Sequence, residues 1–357
     1  MRLEKLAIKD VRNLTDIKLH CNNRTNLITG KNAAGKTAIL ESIYLLSRAA
    51  SFRTPKLKDV IQHGKQGFSV SARVFINNTA HHAGIEKDTD STQIKFDGSK
   101  ISKRSEQAQN IPVVTYTADT NRLLYGLPKE RRHWLDWSMF HVEPEYMECW
   151  RTYHYALRQR NALLRADIRK DEQYRPWEIA MANTACRLND ARNTYLARIN
   201  EETTARIKNI LGESTIELSE KQGGVEEIRM HLERDRTRDR RAGHTRDGPH
   251  RHDVCFRLNG YTAGKTLSGG EGKQFLLILI IAQAREFFHR KKFFPVVLVD
   301  DLPAELDHKV CASIFDLLTR ETGQLFITTT NEGEFLIKKD SCKRFHVEHG
   351  KLAKMVE

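Results

Sequence analysis

The octet GKNAAGKT, Gly30 to Thr37, satisfies the pattern GxxxxGK[ST]. It stands between TNLIT, which reads as a short strand, and KTAILESIYLLS, whose apolar spacing predicts a helix. Strand, glycine-bounded loop and helix in that order let successive backbone N–H groups curl round a phosphate, because glycines accept the backbone angles of the curl and permit close approach. Gly30, Lys31, Asn32, Ala33, Ala34 and Gly35 would form the cradle, Lys36 would neutralise the outer phosphates, and Thr37 would offer its hydroxyl to Mg²⁺. A chain built on this unit folds as α/β.

Other strand signals fit such a core. LEKLAIKD and IKLH alternate near the N-terminus. PVVLV at 295–299 is the continuous apolar run of a strand covered on both faces, and GQLFITTT at 323–330 reads as one more. FSVSARVFI and then TQIKF, followed by Asp97-Gly98, predict a small accessory antiparallel sheet with a tight hairpin. From about 143 to 211 strand signals vanish and Pro176 is the clear break, so two or more long helices are expected, without the heptads of an extended coiled coil. The expected organisation is a nucleotide core split by an inserted, mainly helical domain. Residues 1–139 carry the phosphate loop and accessory sheet, 140–244 the insertion, and 245–357 the second half of the core.

A phosphate loop needs an acid at the end of a neighbouring buried strand. Asp300, straight after PVVLV, falls there and would hold Mg²⁺ with Thr37, directly or through water. Asp301 follows, either as the base that orients an attacking water or as a second carboxylate that only tunes the metal; being shorter than glutamate, it predicts slow hydrolysis. TLSGGEGKQ at 266–274 precedes the apolar helix FLLILIIAQAR. A helix cap accounts for Ser268 alone, whereas Gly269 and Gly270 leave the helix N-terminus bare of side chains, which suits a terminal phosphate.

Gly30 to Thr37, LSGGE at 267–271 and VVLVDDLPAELD at 296–307 together resemble an ABC-type ATPase head of the SMC-like branch. The resemblance implies an ATP-dependent homodimer, in which Ser268 and Gly270 of one protomer face the nucleotide held by Lys36 of the other. It places Asp307 in the loop that crosses the same seam. VRNL near the start, SFRT at 51–54, RRHWLDW at 131–137, RQRNALL at 158–164, RPWE at 175–178, DGPHRHD at 247–253 and VEHGKL at 347–352, in that order, resemble the RecF family within that branch. This second resemblance implies a cytoplasmic, nucleoid-associated bacterial protein of recombinational gap repair, with links to replication and the SOS response. It implies binding of single-stranded, double-stranded and gapped DNA, slow DNA-stimulated ATP hydrolysis serving as a switch, and action with RecR and RecO to place RecA. Four places depart from the usual pattern: Ala33 stands for a loop glycine, Ala118 and Asp119 stand for a Pro-Glu pair, His252 stands for an acid after GPHR, and Thr328, Thr329 and Thr330 stand where a switch histidine is otherwise found.

Lys and Arg number 59 against 46 Asp and Glu, a formal charge of +13 that favours polyanionic partners. Arg53, Lys56 and Lys58 in SFRTPKLKD, and Arg158 and Arg160 on the insertion, are the candidate phosphate contacts, with a merely solvated face as the alternative for each. The six cysteines are scattered without a CxxC pair, and His244, His250 and His252 lack ligand spacing, so neither a zinc ribbon nor a disulfide framework is expected. The longest apolar run, FLLILIIA, is too short to span a bilayer, and no membrane association is expected. Three other functions fit parts of the pattern. A transporter ATPase subunit predicts a switch histidine and a glutamate at position 301; an SMC-like structural ATPase needs longer arms; an ATP-sensing scaffold keeps the fold without catalysis.

Overall fold

The structure is a computed structural model that describes residues 1–208, 210–219, 223–302, 306–330 and 342–353. The chain opens with β1 (Arg2–Val11), β2 (Leu14–His20), β3 (Thr25–Thr29), α1 (Lys36–Arg48), β4 (Phe68–Ile76), β5 (Thr79–Lys87), β6 (Thr92–Phe96), β7 (Ser99–Lys100), α2 (Arg104–Asn110) and β8 (Val113–Tyr116). It continues through α3 (Arg122–Tyr125), α4 (Pro128–Val142), α5 (Tyr146–Arg165), α6 (Arg175–Ile207), β9 (Ser214–Leu218), α7 (Val225–Arg234), α8 (Arg236–Ala242), β10 (Val254–Leu258), β11 (Tyr261–Thr262) and α9 (Ala263–Thr266). It ends with α10 (Gly269–Lys291), β12 (Val296–Val299), α11 (His308–Glu321), β13 (Leu325–Thr329), β14 (Cys342–Glu348) and β15 (Lys351–Leu352). These elements form two compact units, residues 1–121 with 268–357, and residues 122–267.

In the first unit α1 packs against two sheets. One has the order β15-β14-β3-β13-β12-β8, parallel from β14 to β8, with β3 delivering the chain into the phosphate loop. All four residues of β12 and all five of β13 are buried, as their apolar runs predict. The other sheet, β2-β1-β4-β5-β6-β7, is antiparallel throughout. Ile39, Leu40, Ile43 and Leu46 of α1 share one core with Leu6, Ile8 and Ile17 of the antiparallel sheet and with Ile28, Leu298 and Phe326 of the parallel one. The accessory sheet is therefore larger than the 68–98 segment: β1 and β2 join it, because β1 pairs with β4 and turns its alternate apolar residues toward α1. The Asp97-Gly98 hairpin forms as expected, with φ of 48° and 79° and Phe96 opposite Ser99.

The second unit combines helices with the antiparallel sheet β11-β10-β9. It is wider than 140–244 at both ends, since α4 packs on α5, α6 and β10, and β10 pairs with β9; residues 122–139 and 245–267 thus fold with the helices. Pro176 lies in the first turn of α6, where a missing N–H costs nothing. The buried stripe of α5 runs Tyr146, Cys149, Tyr153, Ala156, Leu157, Arg160 and Leu164. Arg160 corrects one expectation: it is 0% exposed and cannot meet DNA. Its guanidinium donates to Glu178 at 3.1 Å, to Asp239 and the Thr245 hydroxyl at 2.7 Å, and to the Leu232 carbonyl at 2.8 Å, tying α5, α6, α7 and α8 together. Trp134 packs edge-on to Phe256, and Trp150 donates to Asp136 at 3.1 Å, so both are structural. Among the described residues, no helix is long and apolar enough to cross a membrane.

Candidate functional site

The phosphate loop takes its shape from glycines that nothing else could replace. Gly30 has a φ of 148°, and a Cβ there would lie 2.3 Å from the Val347 carbonyl oxygen; at Gly35, with φ 118°, it would lie 2.6 Å from the Leu14 side chain. Ala33 sits at φ 63°, a left-handed backbone that costs an L residue about 1–2 kcal/mol. The loop is braced there from outside, where Asn13 Nδ2 donates to the Ala33 carbonyl at 2.9 Å and Gly350 N donates to the Ala34 carbonyl at 2.9 Å. Asn13 and Gly350 belong to VRNL and VEHGKL, whose sequences alone gave no hint of this bracing.

Lys36 opens α1 and is 8% exposed. Its ammonium donates to the carbonyls of Gly30 at 2.7 Å and Lys31 at 3.0 Å, inside the curl. Burial lowers its pKa below the ordinary lysine value, with Asp301 and then Asp300 pulling the other way. Thr37 Oγ1 lies 3.0 Å from both carboxylate oxygens of Asp300. On the far side the Thr328 hydroxyl donates to Asp300 Oδ1 at 2.7 Å and accepts the Asp301 N–H at 2.8 Å. The threonine that stands for a switch histidine thus positions both acids. Lys273 of α10 donates to the Asp301 carbonyl at 2.8 Å and lies 5.7 Å from the centre of the Tyr116 ring.

These groups share a cleft of about 840 Å³, lined among others by Asn32, Ala33, Gly35, Lys36, Thr37, Asp300 and Asp301. Arg12, Tyr116, Asn121 and Lys273 also line it, and nothing in the sequence assigns any of them to the cleft. Arg12 is fixed by a two-pronged pair with the fully buried Glu41, at 2.9 and 2.7 Å. Arg53 reaches the cleft as well, 3.8 Å from Glu41, while Lys56, Lys58 and Arg158 are exposed.

Ser268, Gly269 and Gly270 are not among the residues that line this cleft. Ser268 and Glu271 form a capping box, the serine Oγ accepting from the Glu271 N–H at 3.4 Å and the Ser268 N–H donating to Glu271 Oε2 at 2.9 Å. The helix N-terminus beyond the cap is exposed at Ser268 and Gly269. Asp307 caps α11, accepting from the Val310 N–H at 2.9 Å, whereas Ala304 and Glu305 of AELD lie outside the described residues.

A family model described as the RecF/RecN/SMC N terminal domain matches residues 2–353. The DNA replication and repair protein RecF of Nitrosococcus oceani is 32% identical over 362 residues, covering 100% of both chains. The solved structure of the recombination mediator protein RecF with ATP in the RecFOR pathway is 25% identical, with a TM-score of 0.85 and 99% of each chain covered. An Smc head bound to the C-terminal winged-helix domain of ScpA shares the fold at 14% identity, with a TM-score of 0.59 over 99% of this chain and 96% of that one. The phosphate loop, the Asp300–Asp301 pair and the capped helix α10 of this chain sit on an ABC-type ATPase head, and the chain belongs to the RecF family of DNA replication and repair proteins.

Proposed function

We propose that this chain is an ATP-switched DNA-binding protein of recombinational gap repair, which closes as a homodimer on duplex DNA or on duplex/single-strand junctions. The observation that carries the reading is the Thr37–Asp300 pair beside Lys36 at the mouth of the loop. A hydroxyl and a carboxylate side by side make the hard-oxygen set that suits Mg²⁺, which when bound neutralises charge between the outer phosphates. The backbone N–H groups of residues 30–35 cradle the phosphates of ATP, and Lys36 exchanges its two carbonyls for phosphate oxygens. Asp301, held by Thr328 at its N–H and by Lys273 at its carbonyl, orients water for slow hydrolysis.

Support for the dimer comes from the position of the signature residues. Ser268 caps and Gly269 and Gly270 open a helix whose N-terminus lies outside the residues lining their own chain's cleft, and so complete the site of a second copy. ATP that bridges two protomers stabilises only the closed form, and hydrolysis releases it. Arg53, Lys56, Lys58 and Arg158 contribute phosphate contacts. The protein acts in the bacterial cytoplasm at the nucleoid, with RecR and RecO, to place RecA.

Titrating gapped DNA with no nucleotide, with ADP and with ATP, over a salt series, tests this reading. Binding is expected to be tightest with ATP, and log affinity is expected to fall linearly with log salt. Equal affinity in all three nucleotide states would rule out the switch.

A further inference from the structure

The antiparallel sheet has an outer face that none of the assignments above uses. Period-two alternation turns Leu6, Ile8, Leu19, Ala72 and Ala83 inward and leaves Lys5, Ala7, Lys18, His20, Ser71 and Arg73 on the other side. Register then lines these residues up across the strands. His20 faces Lys5, Lys5 faces Arg73, and Arg73 faces His82, so four basic residues cross four neighbouring strands in one row. At the usual strand spacing that row is roughly 14 Å long. The next row runs Lys18, Ala7, Ser71, Gly84 and Lys95, small residues between two lysines.

Ala7, Ser71, Ala72 and Ala83 line a trough of about 440 Å³ bordered by Lys5, Lys18, His20, Arg73 and His82. Glu4 answers Arg73 at 3.1 Å, but Lys5 and Lys18 are exposed and have no carboxylate partner among the described residues. Beyond the row, the guanidinium of Arg2 lies 4.8 Å from the centre of the Phe75 ring, which Arg73 flanks at 5.4 Å, so Arg2 extends the basic edge.

We propose that this face docks the sugar-phosphate backbone of duplex DNA, as a surface distinct from Arg53, Lys56, Lys58 and Arg158. The inference rests on the DNA-binding reading and adds to it where on the core the backbone lies. A row of basic side chains that includes the charged Lys5 and Arg73, beside a trough of short side chains, matches a ridge of regularly spaced single negative charges. Ala7, Ser71, Ala72 and Ala83 keep the trough shallow in side chains, so a phosphate backbone can lie close to Lys5, Lys18 and Arg73 at its border.

The test uses the full chain with ATP, a duplex of defined length, and a salt series. Lys5→Gln with Lys18→Gln is expected to weaken duplex binding about tenfold and to reduce the slope of log affinity against log salt by about 2, with ATP affinity unchanged. Ser71→Tyr, which fills the trough without altering charge, is expected to weaken binding at an unchanged slope. Wild-type affinity and slope in both variants would overturn the assignment while leaving the DNA-binding reading intact. The same holds if the variants lose binding only to phosphatidylserine vesicles. A wild-type protein that binds no DNA in any nucleotide state removes both.

Discussion

Arg160→Met is expected to destabilise the helical unit by about 3–5 kcal/mol, a fall of roughly 6–20 °C in its thermal unfolding midpoint. Arg160 is 0% exposed and holds Glu178, Asp239, Thr245 and the Leu232 carbonyl. Methionine fills most of the volume but leaves these acceptors without their donor. Glu178 keeps Arg236, at 2.5 Å, whereas Asp239 loses the only guanidinium bonded to it among the described residues and keeps the Arg246 N–H at 3.2 Å. An uncompensated buried carboxylate is the costly part of breaking such a network. Calorimetry or circular dichroism reads the shift. A variant that melts within 2 °C of wild type and loses only DNA affinity would restore Arg160 to the surface and contradict the packing of α5.

Lys36→Met is expected to weaken ATP binding by about thirtyfold to a few thousandfold, since truncating one partner of a desolvated charge pair costs about 2–5 kcal/mol. The effect on the fold is smaller, because the loss of the hydrogen bonds to the Gly30 and Lys31 carbonyls is offset by relief of a desolvated charge. Burial lowers the Lys36 pKa, so its ammonium is less favourable in the folded chain than in the unfolded one, and an apolar side chain of similar length removes that cost. The stability gained is present at neutral pH and disappears above the unfolded lysine pKa, where both forms are neutral. Titration calorimetry with ATP and Mg²⁺, alongside a thermal melt, separates the two effects. Unchanged ATP affinity in a well-folded variant would remove Lys36 from the phosphate site.

The parts of the fold that a local pattern encodes were readable from the residues alone. Glycine spacing marks the loop at 30–37, β12 is uniformly apolar, and Asp97-Gly98 is a two-residue hairpin turn. Sheet membership was less so. Only the register between β1 and β4 reveals that β1 turns away from the phosphate-loop sheet, and β5 was missed because TAHHAGIEK buries just Ala83 and Ile85. In the site, Thr37 and Asp300 follow from their motifs. Arg12 and Thr328 stand in segments the sequence marks, but their contacts, and any role for Lys273, do not follow from it, because each matters through a partner far along the chain: Glu41 for Arg12, Asp300 for Thr328 and Asp301 for Lys273. Arg160 could have been placed correctly. It falls three and four residues after Leu157 and Ala156, and four before Leu164, on the apolar stripe of its helix, and that spacing outweighs the polar neighbours that suggested an exposed patch.

Whether one chain's cleft is finished by another's signature helix is measured most directly by sedimentation velocity with ATP and Mg²⁺. The wild-type protein is expected to shift from monomer to dimer as ATP is added. Ser268→Arg, which places a bulky cation on the exposed helix N-terminus, is expected to bind ATP with wild-type affinity and remain monomeric. An ATP-dependent dimer formed normally by Ser268→Arg, or a wild-type chain that stays monomeric when saturated with ATP, would contradict a site shared between two copies.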